Sequence, residues 1–210
     1  MLTPAIGSGG QGEVFKAYHF KTKETRAMKV ISKEKIGTIN WNLILNEIKI
    51  LREIDHPNIV KIYEFFETVT HFYIVMEYCP GKTLFKYFNK DVSEKEVSQI
   101  TYQILETINY LHKIDIVHRD IKSDNIIFNG KTIKLIDFGM SKYLPKNKFL
   151  KDLYGTKDHM SPELIKKKYN HKVDIWAIGI ICFMMICGKT PFKGNSDADL
   201  FNNISKMKFE

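Results

Sequence analysis

Apolar and polar positions alternate through the first third of the chain. Leu2–Ile6, Glu13–His19 and Thr25–Ile31 are short runs rich in β-branched or aromatic residues, separated by glycine or charged turns, and they predict three strands. The period then changes. Leu45, Ile48, Leu51 and Ile54 recur at threes within Asn42–Ile54, which predicts a helix that ends at His56-Pro57-Asn58. Val60–Glu67 and Phe72–Glu77 predict two further strands, followed by the turn signal Pro80-Gly81. Beyond that turn the pattern is mainly helical, over Leu84–Phe88, Glu94–Lys113 and Asp174–Cys187, with one apolar strand at Ile133–Ile136. Strands first and helices afterwards imply an α+β, bilobal chain. The expected division is a small β-rich N-lobe at 1–77, a hinge at 78–81 and a larger helical C-lobe at 82–210.

Composition narrows this picture. Hydrophobic residues are 44% and charged residues 27% of 210, ordinary for a globular chain and enough for a core. The apolar run Ile175–Cys187 falls short of the ~20 residues of a membrane span, and Asp174 stands at its edge, so it predicts a buried helix, apolar all round. The net charge of +8 comes from lysines scattered along the chain with no stripe of arginine, lysine and interleaved aromatics; a solvated surface is expected, not nucleic-acid binding. Cys79, Cys182 and Cys187 form no CxxC pair, and Met1-Leu2-Thr3-Pro4-Ala5 lacks the blocks of a signal peptide. Free thiols in a cytoplasmic or nuclear, intracellular protein are the expectation.

Four segments carry chemistry. In Gly7-Ser8-Gly9-Gly10-Gln11-Gly12-Glu13-Val14 the glycines let backbone N–H groups approach a polyphosphate. Chance alone places GxGxxG in roughly a few per cent of chains this long. A dinucleotide-binding fold would follow the glycines with a helix, whereas Val14–His19 reads as a strand, so a glycine-rich flap between strands is favoured. Ala27-Met28-Lys29 lies on the third strand, where a lysine under the flap can meet phosphates, and Glu47 on the first helix is placed to pair with it. His118-Arg119-Asp120-Ile121-Lys122-Ser123-Asp124-Asn125 fills HRDxxxxN, which chance supplies in about one such chain in a thousand. Asp137-Phe138-Gly139 follows the strand Ile133–Ile136.

In this order the motifs resemble those of the eukaryotic-type protein kinase family, and the resemblance runs from the first residues to about Phe192. It implies ATP and Mg2+ as cofactors and proteins as substrates. Asp120 would orient the substrate hydroxyl, Lys122 would stabilise the transferring phosphoryl group, and Asn125 and Asp137 would hold magnesium. Lys29, paired with Glu47, would fix the α- and β-phosphates beneath the glycine loop of Ile6, Gly7, Ser8, Gly9, Gly10, Gln11 and Gly12. Val14, Ala27 and Ile127 match the residues around adenine, Met76 the gatekeeper, and the backbone of Glu77 and Cys79 the adenine edge. Leu51, Ile62, His118 and Phe138 match the family's apolar stack linking the lobes, and Asp174 the buried acid beneath the catalytic loop. A lysine two places after the catalytic aspartate is the serine/threonine pattern.

Within the family, Met140-Ser141-Lys142, Lys151–Thr156 and Gly188-Lys189-Thr190-Pro191-Phe192 most resemble the calcium/calmodulin- and calcium-dependent kinases, although the sequence holds no D-x-D-x-D-G loop. Ser161-Pro162-Glu163 replaces APE, and Lys157-Asp158-His159 replaces the usual Pro-aromatic-aromatic. The expected C-lobe is truncated at its C-terminus, leaving Glu163 without its arginine. Thr83 stands where relatives that prefer an upstream arginine often carry glutamate, while Asp124 retains one acid. Arg119 before Asp120 implies an upstream kinase acting on the activation segment, with Ser141, Tyr143, Tyr154 and Thr156 as candidate acceptors. A catalytically impaired, kinase-like ATP-binding scaffold is the alternative function; an oxidoreductase or nucleic-acid binder has little support.

Overall fold

The alternation in the first third resolves into five antiparallel strands: β1 Ala5–Gly9, β2 Gly12–Tyr18, β3 Thr25–Ser32, β4 Ile62–Glu67 and β5 His71–Glu77, in the order β1-β2-β3-β5-β4. This computed structural model describes residues 4–9, 12–88 and 92–209, and only the backbone of 35–40. It forms two compact units, Met1–Pro80 and Gly81–Glu210. Leu2 and Thr3, in the first expected strand, and Gly10 and Gln11, in the glycine loop, lie outside the described residues.

In the first unit, α1 spans Lys33–Glu53 and packs on β3 and β4. It begins nine residues before the expected Asn42, because Gly37-Thr38-Ile39-Asn40 are weak helix formers that hide the period. Its inward face also differs from the expectation. Ile44, Glu47, Ile48 and Leu51 are buried, whereas Leu45 is exposed. A spacing of strict threes drifts around a 3.6-residue helix, and the i, i+4, i+7 row wins.

The second unit is built on α3, Glu94–Lys113, which has the expected bounds. Ser93 and Glu96 close a capping box at its start, satisfying two N–H groups that the helix itself leaves without partners. Val97, Ile100, Ile104, Ile108 and Leu111 form its buried face, each worth roughly 1.5–3 kcal/mol of burial. This helix packs against α5, Lys172–Cys187, which buries Val173, Ala177, Ile178, Ile181 and Met185. The expectation of a helix buried all round does not hold, since Ile175 and Ile186 are exposed. Gly188 closes α5 in the left-handed conformation at φ 67°.

The rest of this unit is short pieces, most of which periodicity did not reveal. The strands β6 Lys82–Thr83, β8 Ile126–Phe128 and β9 Ile133–Leu135 form one small sheet, and β7 Ile116–Val117 pairs with β10 Lys142–Tyr143. Two or three residues are too few to display a period of two. The helices α2 Leu84–Tyr87, α4 Pro162–Ile165 and α6 Asp197–Ser205 complete it, the last two unforeseen. Val117, Leu144, Leu150, Met160, Leu164, Tyr169 and Val173 make a core cluster that anchors the segment after Asp137.

Candidate active site

Strand register alone gathers half of the expected residues. In the first unit, Val14 faces Lys29 and Lys29 faces Ile74, while Ala27 faces Met76. Opposed residues share a sheet face and alternate residues return to it, so Val14, Ala27, Lys29 and Met76 lie on one face. Gly9 pairs with Gly12 at the end of the β1–β2 hairpin. Gly12 sits at φ 154°, and a Cβ there would stand 2.3 Å from the carbonyl oxygen of Val30, so only glycine fits. Lys29 Nζ reaches both carboxylate oxygens of Glu47, at 3.4 and 3.2 Å. Glu47 is buried at 3% exposure. Such a pair adds little net stability, but breaking it strands a buried charge at a cost of about 3–5 kcal/mol. Lys29→Met is therefore expected to lower the unfolding midpoint of the chain as well as any nucleotide affinity; a thermal melt without ligand checks the first effect, and Glu47→Leu placed in the same variant should restore part of it.

In the second unit, the organiser is Asp174 in the first turn of α5. Its carboxylate, 1% exposed, accepts from the N–H of His118 at 2.9 Å and of Arg119 at 2.8 Å, and it meets His112 Nε2 at 2.8 Å. These bonds hold Arg119 at φ 71°, a conformation costly for a side-chain-bearing residue. The turn so fixed presents Asp120. Asn125 Nδ2 donates to the Asp120 carbonyl oxygen at 3.0 Å and to Oδ2 at 3.1 Å, Lys122 Nζ lies 2.9 Å from Oδ2, and the Thr156 hydroxyl donates to Oδ1 at 2.7 Å. Lys122 also donates to Thr156 at 3.0 Å. The approach of the later segment depends on Gly155: at φ 119°, a Cβ there would meet the Arg119 carbonyl oxygen at 2.7 Å.

Burial works against ionisation of Asp120, but hydrogen bonds from Lys122 and Thr156, with the Lys122 charge, outweigh it and hold its carboxyl below the usual value. An anion this well satisfied orients a hydroxyl better than it removes a proton. Asp137 lies close by: its charge and that of Asp120 both act on the imidazole of His118, whose ring packs edge-on against Phe138 at 4.9 Å. Asp137 Oδ1 accepts from Gly139 N at 3.0 Å.

Magnesium is a hard cation that usually takes one or two protein oxygens and fills its octahedron with phosphates and water. The donors fit that demand. Asn125 commits its amide nitrogen to Asp120, so Oδ1 is the atom that would coordinate, and Asp137 would supply a carboxylate. Among the described residues no trio of His, Cys, Asp or Glu forms a closed metal cage.

A family model described as the protein kinase domain matches residues 2–209. The chain belongs to the protein kinase family. Among its relatives, calcium-dependent protein kinase 5 of Plasmodium berghei (strain Anka) is 37% identical over 210 residues, covering 97% of this chain and 37% of that protein. A probable myosin light chain kinase of Dictyostelium discoideum is 36% identical over 220 residues, covering all of this chain and 69% of that protein. Calcium-dependent protein kinase 4 of Plasmodium falciparum (isolate 3D7) is 35% identical, covering 97% and 40%. The chain thus spans little more than a third of the calcium-dependent relatives it matches. It is a kinase domain related to the calcium-dependent group, with the α+β fold of the family.

The remaining expected positions of the kinase domain fall as follows. Ile6, Gly7, Ser8 and Gly9 lie in β1, and Ile127 lies in β8 of the second unit. Glu77 donates its N–H to the Lys61 carbonyl at 2.8 Å, and its own carbonyl accepts from the Cys79 thiol at 3.8 Å. Of the candidate phosphoacceptors, Ser141 is buried at 1% and Thr156 is engaged by Asp120 and Lys122. Tyr154 is exposed, and Tyr143 is half-buried. Arg119, read from sequence as a sign of phosphorylation in the activation segment, donates Nε to the Met140 carbonyl at 2.6 Å and NH1 to Tyr169 at 3.3 Å. Its NH1 lies 3.6 Å from the Asp152 carboxylate, which also meets Lys142 at 3.4 Å. Sequence reasoning missed His112, Asp152, Gly155 and Tyr169. Asp152, Gly155 and Tyr169 act on Arg119 across 33 residues or more, and His112 acts on Asp174 across 62, so no local spacing shows these contacts; His112 alone offered a hint, as a polar residue one place after the apolar face of α3.

Burial pushes the His118 imidazole below its ordinary value of 6.5 despite the nearby acids, and burial with the neighbouring His112 does the same to His171. The Asp120 N–H donates to His118 Nδ1 at 3.3 Å, which requires that nitrogen to be unprotonated. A depressed value means that the unfolded chain binds the proton more readily. The stabilisation is complete above 6.5 and is lost as pH falls from there through the folded-state values. The unfolding midpoint is accordingly expected to drop between about pH 7.5 and about pH 5.5, and His118→Phe should make that drop shallower. Melting curves across that range check it; equal slopes in the two proteins would exclude His118 as a source.

Proposed function

We propose that this domain is a serine/threonine kinase, transferring the γ-phosphoryl group of magnesium-bound ATP to hydroxyl groups of proteins. The observation that carries the reading is the set of bonds around Asp120, in which Lys122, Asn125 and Thr156 converge on one carboxylate. Phosphoryl transfer demands alignment and charge neutralisation more than covalent participation, and this set provides both. Asp120 takes the hydrogen bond of the incoming hydroxyl and points its oxygen at phosphorus. Lys122, two residues later, offers positive charge to the transferring group. Asn125 Oδ1 and the Asp137 carboxylate hold the metal, which supplies charge neutralisation to the phosphate oxygens when bound. Lys29, fixed by Glu47, takes the α- and β-phosphates, and the backbone of the β1–β2 hairpin covers them. Val14, Ala27 and Met76, on one face of the first unit's sheet, offer the adenine an apolar surface, with the backbone of Glu77 and Cys79 at its edge, and Ile127 is the residue of the second unit assigned to the same ring.

The serine/threonine choice rests on Lys122, whose ammonium lies beside both Asp120 and Thr156. The kinase names of the relatives point the same way. Three peptides differing only in serine, threonine or tyrosine at one position test it, each incubated with the purified chain, magnesium and labelled ATP. Label on serine and threonine is expected. Label on tyrosine alone would overturn the subclass, and a thermal shift with ATP but no label on any peptide would favour the scaffold reading.

A further inference from the structure

Three ionisable residues in a row, Lys157-Asp158-His159, follow the threonine that holds Asp120. Consecutive charges on a surface turn would ordinarily neutralise one another or face water. Here Lys157 points to a partner of its own, and Asp158 and His159 bond each other. Lys157 pairs with Asp197 in the first turn of α6, which draws its ammonium away. His159 is buried and hydrogen-bonds through Nδ1 to Asp158 Oδ1 at 3.0 Å. Asp158 is left with a carboxylate 36% exposed, held in place from behind by a buried ring. The His159 hydrogen bond outweighs burial and keeps this carboxyl below its usual value, with a further contribution from the charge of Lys122. The Lys122 ammonium itself is placed on Asp120 and Thr156.

Position gives this charge a use. Residues 157–159 form a tight turn closed by His159 N on the Thr156 carbonyl at 2.9 Å, and the Thr156 hydroxyl is 2.7 Å from Asp120. Asp158 is therefore two residues from a direct ligand of Asp120. The Lys122 ammonium that sits on Asp120 also acts on the Asp158 carboxyl, and an extended peptide advances only about 3.3 Å per residue, so the one or two residues flanking a hydroxyl bound at Asp120 stay near this turn. Long basic side chains reach a carboxylate at that range while their stems stay on the surface.

Resting on the reading of Asp120 as the residue that receives the substrate hydroxyl, the geometry points to Asp158 as a specificity-determining residue that selects peptides with lysine or arginine within two positions of the phosphoacceptor. A peptide with glutamate there meets like charge and is rejected.

The test uses serine peptides carrying arginine, alanine or glutamate at each of the two positions on either side, with kcat/KM measured for the wild-type chain and for Asp158→Arg. At one of those positions the wild type is expected to favour arginine over glutamate by about five- to tenfold, carried in KM, and Asp158→Arg should invert the order. The all-alanine peptide should be turned over within about twofold by both proteins, since it makes no charge contact there. An unchanged ranking in Asp158→Arg overturns the proposal. Should the reversal variant fold poorly, Asp158→Asn must erase the preference without inverting it. Fluorescence anisotropy of the same peptides without ATP separates the two readings. Absence of label with every peptide counts against kinase activity, while loss of basic-peptide binding in the Asp158 variants, or its persistence, still decides the role of Asp158.

Discussion

Asp120→Asn is expected to lower phosphoryl transfer by about a thousandfold or more, with nucleotide affinity changed by no more than about twofold. The amide keeps the volume of the carboxylate and an oxygen that can accept from Thr156, so the loop has little reason to move. What it loses is the negative charge that binds Lys122 at 2.9 Å and receives the hydrogen bond of the incoming hydroxyl. Initial rates with labelled ATP and titration calorimetry with the nucleotide separate the two quantities. A variant that retains more than about a tenth of the activity would remove Asp120 from the chemistry. Asp137→Asn should behave differently, because its carboxylate is assigned to metal: magnesium-dependent nucleotide binding is expected to weaken together with turnover. If both are unchanged, that assignment is wrong.

Asp174→Ala is expected to cost about 3–5 kcal/mol, the range found when a buried, fully bonded charge is deleted. The truncation strands the N–H groups of His118 and Arg119 and the Nε2 of His112 around a buried hole. It also releases the strained backbone of Arg119, on which the direction of Asp120 depends. For a chain of this length the loss corresponds to a fall of roughly 10 °C in the unfolding midpoint, and kcat should fall even at temperatures where the variant stays folded. His112→Ala removes only one of the three bonds and should be milder on both counts. Equal effects from the two would show that the histidine contact, and not the two backbone contacts, is what Asp174 supplies.

Much of the candidate site was readable because its residues sit in short motifs whose spacing is local. Asp120, Lys122 and Asn125 lie within one turn of chain, and that turn brings them onto one another as expected. Lys29 and Glu47 were legible for a different reason: a strand lysine and an acid on the inward row of α1 have few other partners, and they meet at 3.2 Å. The inward row itself was misread at Leu45, and the all-round burial of α5 was misjudged at Ile175 and Ile186. Apolar identity records a tendency to bury. Which neighbours arrive to cover a given side chain is a property of the packed chain.

The one-dimensional pattern determined the strand-then-helix order, the bounds of α3, the glycine hairpin, and the identity of the groups able to handle a phosphoryl transfer. These follow from periodicity, steric freedom at glycine and ionisable chemistry, all set within a few residues. Only the folded chain decided that Asp174 grips the backbone 55 residues before it, that Gly155 admits Thr156 to Asp120, that Asp152 pairs with the Arg119 guanidinium, and that His159 bonds the Asp158 carboxylate. Those contacts join residues with no fixed spacing. They exist because a buried polar group must find its partner wherever the packing places one.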